Sequence, residues 1–244
     1  MHVRAATGAA ARRERAMRII DRFGALTGAA YVVLVMVGNM MSSDRSPGPH
    51  PAHPTGQQDI TSLHWLAGSV SGQAGVTLEL VGFAALVLFV GYLCTRVRAG
   101  GWLATAALAG GVIAIAVKLA SAAPMFAAYV LRDGISPQMA RVLTDMGSAA
   151  FVVDWLPTGM FVACAAGAAL ATRTLGRTLG WGGVVAGSAA VIVTAVTGEH
   201  VLAANALPFL FCLLWILVVS VRLGVQRTSR VAAEAAPDAV PVRV

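Results

Sequence analysis

The stretch "GGVIAIAVKLASAAPMF", residues 110–126, places one lysine, Lys118, inside an otherwise apolar run. The chain holds 18 basic residues, and Lys118 is the only one that is not an arginine. A charged side chain within such a run is expensive in lipid, where charged residues usually face a bundle interior or a water-filled cavity. The stretch therefore predicts a membrane-spanning helix that carries a polar site.

The composition of the whole chain also indicates a membrane protein. Of its 244 residues, 57% are hydrophobic and 12% are charged, and the mean hydropathy is +0.75. Soluble domains carry about 25% charged residues. The pI near 10.3 does not indicate nucleic-acid binding, because the arginines sit at the ends of apolar segments and form no patch. Three cysteines, Cys94, Cys164 and Cys212, fit small hydrophobes within apolar segments and no disulfide framework.

Six apolar segments are long enough to cross a bilayer, which takes about 20 helical residues each. They lie at about 23–41, 75–95, 102–125 (or to 131), 147–171, 179–198 and 205–223. Open strands would leave backbone groups unpaired in lipid, so we expect an all-α bundle of six transmembrane helices. The domain organisation follows: a basic tail at 1–22, a membrane domain at 23–223 and a disordered tail at 224–244.

The arginines indicate which ends of the spans face the cytoplasm. Both tails and the loops on their side carry fourteen, at positions 4, 12, 13, 15, 18, 22, 96, 98, 173, 177, 222, 227, 230 and 243. The other loops carry three, at positions 45, 132 and 141. Cytoplasmic loops are enriched in basic residues, so both termini are predicted to be cytoplasmic. The first segment is expected to stay as an uncleaved anchor, because no A-x-A site follows it.

Two loops are expected on the outer side. The first, 42–74, begins with closely spaced prolines that forbid regular pairing, and its "ITSLHWLAGSV" part fits the membrane interface. His50, His53 and His64 lie in it, and a solvated loop is favoured over a metal site because their spacing does not match ligand patterns. The second, "LRDGISPQMARVLTDMG", is expected to end in a short amphipathic turn.

Polar residues gather at one depth of the predicted bundle. At a helical rise of about 1.5 Å per residue, Lys118 lies roughly 24 Å from the inner end of its span, and Asp154 lies about 10 Å from the outer end of the next. Further polar groups near the outer ends of the spans are Glu79, Asn39, Asn205, Glu199 and His200. The sequence therefore predicts a polar layer in the outer third of the bundle.

This layer has two interpretations. Lys118 and Asp154 could form an ion pair that only fixes the register of two helices. Alternatively, Lys118 binds an anionic group while Asp154 or Glu79 exchanges protons; a lysine can lose its proton when buried, whereas an arginine cannot. A Schiff-base lysine is disfavoured, since no aromatic box is visible in the sequence. Pro157 is expected to kink the fourth span below Asp154 and to free the carbonyl near residue 153.

Small residues four apart predict close helix contacts within the chain. These are the pairs Gly24 and Gly28, Gly110 and Ala114, and Gly183 and Gly187.

No P-loop, dinucleotide fingerprint, G-x-S-x-G or H-E-x-x-H motif is present in the sequence. We therefore assign no catalytic, cofactor-binding or metal-binding residue and expect the lipid bilayer as the main partner, with no nucleic acid. A small transporter or a membrane accessory subunit is the favoured function. The alternative is a membrane enzyme acting on a lipid-linked substrate at the outer leaflet, with Asp154, Glu199 and His200 as acid–base candidates. A structural or sensory partner is a third possibility.

The C-terminal third carries a resemblance. The stretches "ATRTLGRTLGWGGVVAGSAAVIVTAV" (171–196) and "LPFLFCLLWILVVSVRL" (207–223) hold an arginine-rich turn, an L-G-W-x-G element and a final tryptophan-containing helix. They resemble an uncharacterised family of polytopic membrane proteins from high-GC Gram-positive bacteria, of the domain-of-unknown-function type. The resemblance implies a bacterial cytoplasmic-membrane protein of about six helices with no assigned activity or catalytic residues.

Overall fold

The computed structural model describes residues 2–43, 55–197 and 202–235, and all regular structure within these ranges is helical. The helices are α1 (His2–Ser42), α2 (Gly56–Gly68), α3 (Val70–Arg96), α4 (Trp102–Leu131), α5 (Pro137–Val153), α6 (Trp155–Ala171), α7 (Arg177–Thr197) and α8 (Leu202–Ala235). A single 3₁₀ turn, Arg98–Gly100, joins α3 to α4. The predicted all-α class is confirmed.

Six stretches of the described residues are long and apolar enough to cross a membrane. They are Ile19–Ser42, Val70–Arg96, Trp102–Leu131, Pro137–Ala171, Arg177–Val196 and Ala206–Val225. Each coincides with one predicted span, so the chain is an integral membrane protein by the length and composition of its helices.

The spans are arranged in a ring that follows the order of the chain. Helix α1 packs against α3, α3 against α4, α4 against α6, α6 against α7 and α7 against α8, and α8 returns to α1. Helix α2 lies over one end of this ring, where it contacts α3, α4 and α5. We call this the α2 end, and the opposite end, which holds the Arg98–Gly100 turn, the basic end.

The interior of the ring is apolar over most of its length. Phe89, Leu93, Phe161, Val162 and Ile216 are almost completely buried there. Large apolar side chains also cover the outside of the helices, as a lipid-facing surface requires. The buried charges described below therefore stand out from their surroundings.

Small residues allow the helices to approach closely, and the predicted intramolecular contacts are confirmed. Gly28 lies against the ring of Phe89, which joins α1 to α3. A Cβ at Gly187 would lie 2.5 Å from the carbonyl oxygen of Gly159 and from the backbone nitrogen of Ala163. Helices α6 and α7 thus touch backbone to backbone at this point.

The first outer loop is shorter than predicted, because its second half is helical. Thr55 caps α2 with a capping box: its hydroxyl accepts from the Gln58 N–H at 3.4 Å, and its own N–H donates to the Gln58 side chain at 2.6 Å. Helix α3 then begins at Val70, five residues before the predicted start at residue 75. The proline-rich part, with His50 and His53, lies outside the described residues.

The second outer loop is also mostly helix. Ser136 caps α5 by accepting from the Met139 N–H at 3.3 Å, and Pro137 occupies the first helical position, where its missing N–H costs nothing. The predicted short amphipathic turn is therefore the first half of a 17-residue helix. The fourth span reaches back to residue 137, ten residues earlier than predicted.

Helix continues from the neighbouring spans into both tails. Helix α1 continues back to His2, and α8 continues to Ala235, so much of 1–22 and 224–244 is helical. Both stretches are rich in alanine and arginine, which favour helix and extend a helix already fixed by its membrane-spanning part.

Candidate functional site

The contact between α4 and α6 brings Lys118 and Asp154 together. Near the middle of the bundle, Gly110 on α4 fits against the backbone of Phe161 and Pro157 on α6. The two helices run in opposite directions, so moving two turns along α4 toward the α2 end reaches Lys118, and moving back along α6 reaches Asp154. The glycine contact thus sets the register of the charged pair.

The predicted pair is present. The Lys118 Nζ lies 2.9 Å from the Asp154 Oδ2, and the exposed fractions of the two side chains are 7% and 2%. The hydroxyl of Thr158, one turn along α6, donates to the same oxygen at 3.5 Å. Lys118 and Asp154 therefore lie at the same depth in the bundle, as the helical rise predicts.

Asp154 lies at the junction of α5 and α6, where the span stays helical but loses one backbone hydrogen bond. Helix α5 ends at Val153 and α6 begins at Trp155, while Asp154 keeps helical backbone angles of −59° and −25°. Pro157 has no N–H with which to bond the carbonyl of Val153, so one backbone hydrogen bond of the helix is missing beside the carboxylate. The interruption lies where the sequence placed the kink.

Several polar atoms at the pair lack hydrogen-bond partners among the described residues. These atoms are the Lys118 Nζ, which forms the ion pair outside hydrogen-bond geometry, the Asp154 Oδ1 and the Trp155 Nε1. Buried polar groups are nearly always satisfied, so a cluster of unsatisfied atoms at one place calls for an explanation. The buried pair thus has one spare donor and one spare acceptor, and the adjacent Trp155 has a spare donor.

Aromatic rings surround the lysine, which corrects the expectation that the chain shows no aromatic box. The Lys118 Nζ lies 3.5 Å from the centroid of the Phe151 ring and 5.3 Å from that of Phe209. Trp155 stacks on Phe209, with ring centroids 5.3 Å apart. Phe151 and Trp155 lie four residues apart on either side of Asp154, a local aromatic pattern that the sequence shows. Phe209 belongs to α8, so its position near the lysine depends on helix packing.

Glu79 is the third charged residue near this layer. It is half-buried, and its Oε1 accepts from the Ser42 hydroxyl at 3.0 Å. It is close enough to Lys118 for their charges to attract each other. Asn39, predicted for the same layer, has an exposed side chain, so Ser42 is the residue of α1 that meets Glu79.

The other predicted members cannot be placed. Glu199 and His200 lie outside the described residues, and the Asn205 side chain does too, although its backbone belongs to α8. Sequence reasoning missed Tyr31, a buried residue of α1 whose hydroxyl feels the charge of Asp154. Depth along α1 could have indicated Tyr31, since it is the only tyrosine in the first span.

A second set of charges lies near the surface of the α2 end. Arg141 on α5 lies 2.8 Å from Asp145 and 3.9 Å from the buried carboxylate of Asp59 on α2. Burial raises the pKa of Asp59, the Arg141 guanidinium opposes this shift, and Asp145 adds to it. His64 on the same helix lies 3.8 Å from Asp133. These contacts attach α2 to the ring.

A shallow pocket of about 510 Å³ opens at the turn between α4 and α5, lined by Val130, Leu131, Asp133, Gly134, Ile135, Ser136 and Met139. It contains none of the predicted site residues. Among the described residues, no group of three or more His, Cys, Asp or Glu side chains is arranged to hold a metal ion. The chemistry open to the site is therefore proton exchange on a carboxylate and binding to an ammonium.

Comparison of the chain with protein-family models, with curated proteins and with solved structures finds no match.

Proposed function

We propose that this protein is a small membrane transporter in which proton exchange at Asp154 opens and closes the Lys118–Asp154 pair. The observation that carries the proposal is the burial of this pair at the interruption of a span, beside polar atoms that lack hydrogen-bond partners. Charged residues in this position commonly mark solute or proton pathways. Transporters also place their binding sites at interrupted helices.

A purely structural pair would be expected to be better satisfied. Buried ion pairs are stabilising only when further hydrogen bonds occupy the remaining atoms. Here the Asp154 Oδ1 has none among the described residues. Apolar residues at the same two positions would hold the helices together at least as well. A functional role therefore explains the two buried charges better than a contribution to stability does.

Protonation supplies a switch between two arrangements. When Asp154 is ionised, its attraction to Lys118 holds α4 against the junction of α5 and α6. When Asp154 takes up a proton, that attraction is lost. The junction of α5 and α6 can then bend where the backbone hydrogen bond is missing. Glu79 is half-buried and senses Lys118, so it is suited to pass protons between the α2 end and Asp154.

The orientation belongs to the proposal. The excess of arginine at the basic end supports cytoplasmic termini, with the α2 end outside. The resemblance of residues 171–196 and 207–223 to an uncharacterised bacterial family supports the bacterial cytoplasmic membrane. An accessory-subunit role would use the same pair as a contact or a sensor. The enzymatic alternative is not favoured, because Asp154 is only 2% exposed and offers little access to a lipid-linked substrate.

Proton flux in proteoliposomes tests this function. The vesicles contain a trapped pH dye in potassium sulfate, and valinomycin clamps the voltage. An inward proton gradient is applied with chloride, lactate, glycine, glucose or choline added in turn. We expect at least one solute to speed the decay of the gradient in the wild type and not in Asp154→Asn.

The matched control is Asp145→Asn, the same chemical change on the same span at an exposed position. It should leave the flux unchanged. Glu79→Gln should slow the flux without abolishing it. Equal flux from the wild type and from Asp154→Asn with all five solutes would refute the proposed function.

A further inference from the structure

We propose that the transported solute is a small monovalent anion, which binds the Lys118 ammonium in place of the Asp154 carboxylate when Asp154 is protonated. This inference rests on the proposed function and names its substrate class. It also fixes the stoichiometry: one proton enters the site with each anion. The observations behind it are the charges of the pair and the unsatisfied donors around it.

Charge balance in a dry site couples the two ions. The ionised pair is neutral overall. A proton alone would leave the Lys118 ammonium without a counter-charge, and an anion alone would leave a net negative charge; either state is costly in a low dielectric. Proton and anion together restore neutrality, because the anion replaces the carboxylate that the proton has neutralised. The site therefore binds both ions or neither.

The hydrogen-bonding atoms favour an anion over a cation. Lys118 offers three N–H donors, and the buried Trp155 Nε1 adds another that has no partner among the described residues. A protonated Asp154 would add a third group able to donate. The aromatic face of Phe151, which would attract a cation, already lies 3.5 Å from the Lys118 ammonium. When the spare Asp154 Oδ1 carries the proton, the atoms that still lack partners among the described residues are donors, so the site takes an acceptor.

The rings restrict the size and shape of the anion. Phe151 and Phe209 face the ammonium with apolar surface, and Trp155 stacks on Phe209. A planar carboxylate could accept from Lys118 and Trp155 while an apolar substituent contacts the rings. We therefore expect small monocarboxylates to bind at least as well as inorganic monoanions.

Other titratable groups that face the pair do not replace Asp154 in this role. Glu79 of α3 acts on Lys118 from a distance and is bonded to Ser42. Tyr31 of α1 feels the charge of Asp154, and Cys212 of α8 acts on Tyr31. Among the titratable side chains that the structure describes, Asp154 alone is ion-paired with the ammonium, so its protonation frees Lys118 for another anion.

Calorimetric titration of the full-length protein in detergent tests the inference without transport. The probes are chloride, nitrate, formate, acetate and benzoate, each titrated at several pH values and in two buffers of different ionisation enthalpy. We expect at least one anion to bind with uptake of one proton. Its affinity should fall about tenfold for each pH unit above the titration of the carboxyl group.

Two variants separate the parts of the site. Asp154→Asn mimics the protonated carboxyl group and should bind the anion with no proton uptake and no pH dependence. Trp155→Phe keeps the ring and removes the donor, so it should weaken binding about fivefold, as expected for one hydrogen bond. Lys118→Met should abolish binding.

The inference is overturned if no probe binds to either the wild type at low pH or Asp154→Asn. It is also overturned if proton uptake persists in Asp154→Asn. Proton flux that depends on Asp154 but is driven only by glycine, glucose or choline would leave the proposed function intact and refute the anion. Proton flux that is the same in the wild type and in Asp154→Asn would instead refute the proposed function itself.

Discussion

Two ion pairs in this protein have nearly the same contact distance and opposite surroundings. Lys118 and Asp154 lie 2.9 Å apart with side chains 7% and 2% exposed. Arg141 and Asp145 lie 2.8 Å apart with side chains 29% and 55% exposed. The contact distances do not distinguish the two pairs. The surrounding medium does, since the interior screens charge far less than water.

The difference in medium determines what each pair can do. At the surface, water solvates either partner when the other is removed, so the pair contributes little to stability. In the interior, removal of one partner leaves a charge that nothing else neutralises. The buried pair is therefore sensitive to a single proton, and the exposed pair is not. This sensitivity is what the proposed function uses.

The largest effect is expected from breaking the buried pair. Lys118→Met or Asp154→Asn alone should lower the free energy of unfolding by about 3–5 kcal/mol, because each leaves its partner unpaired. The double variant should recover most of this loss. Unfolding by denaturant in detergent micelles measures all three. Single variants as stable as the wild type would contradict the contrast drawn here.

A second test compares the inside and the outside of one helix. Gly187→Val on α7 should destabilise the protein by about 1–3 kcal/mol or more, because the new side chain meets the backbone of α6. Gly182→Val on the same helix is the matched control, since nothing lies within 4 Å of its new Cβ. It should be neutral or slightly stabilising. Equal effects of the two changes would show that α6 and α7 do not pack as described.

Asp59 is buried but lies near the surface of the α2 end, and its contribution to the docking of α2 should depend on pH. Its raised pKa means that the docked helix favours the protonated carboxyl group. Docking of α2 is therefore strongest below the ordinary value of 3.8 and weakens as pH rises through the raised value. Hydrogen exchange of α2 amides, corrected for intrinsic rates, should show protection falling as pH rises above the ordinary value of 3.8.

Asp59→Asn should remove this dependence. His64 is the other titratable residue of α2 with a described charged partner, and His64→Gln serves as the control. If protection rises with pH in the wild type, the sign assigned to Asp59 is wrong.

The smallest effect is expected at the exposed pair. Asp145→Asn should change the free energy of unfolding by no more than about 0.5 kcal/mol, the usual size for a pair four residues apart on a helix surface. The same denaturant titration measures it. A loss comparable to that of Asp154→Asn would mean that the surroundings of the two pairs do not differ in the way described.

Features set by position along the chain could be predicted from the sequence. The six spans follow from runs of apolar residues, and the Lys118–Asp154 contact follows from two depths calculated along neighbouring helices. The interruption at Asp154 follows from Pro157. Each of these features depends only on position along the chain, which the sequence supplies directly.

Features set by lateral packing could not be predicted in the same way. Phe151 and Phe209 meet Lys118 because of how α5, α8 and α4 are rotated, and rotation is not encoded in depth. Helix α2 was missed for another reason. Its capping signal, Thr55 followed three residues later by Gln58, is present in the sequence, but the nearby prolines favour a loop.

The most direct test of the central claim is the proton flux of the double variant Lys118→Met/Asp154→Asn in the proteoliposome assay. This variant has no unpaired charge, so its stability should be restored while the titratable carboxylate is gone. We predict a folded protein with flux no higher than that of Asp154→Asn. Flux equal to that of the wild type would contradict the claim, because the pair would then serve only to hold the helices together.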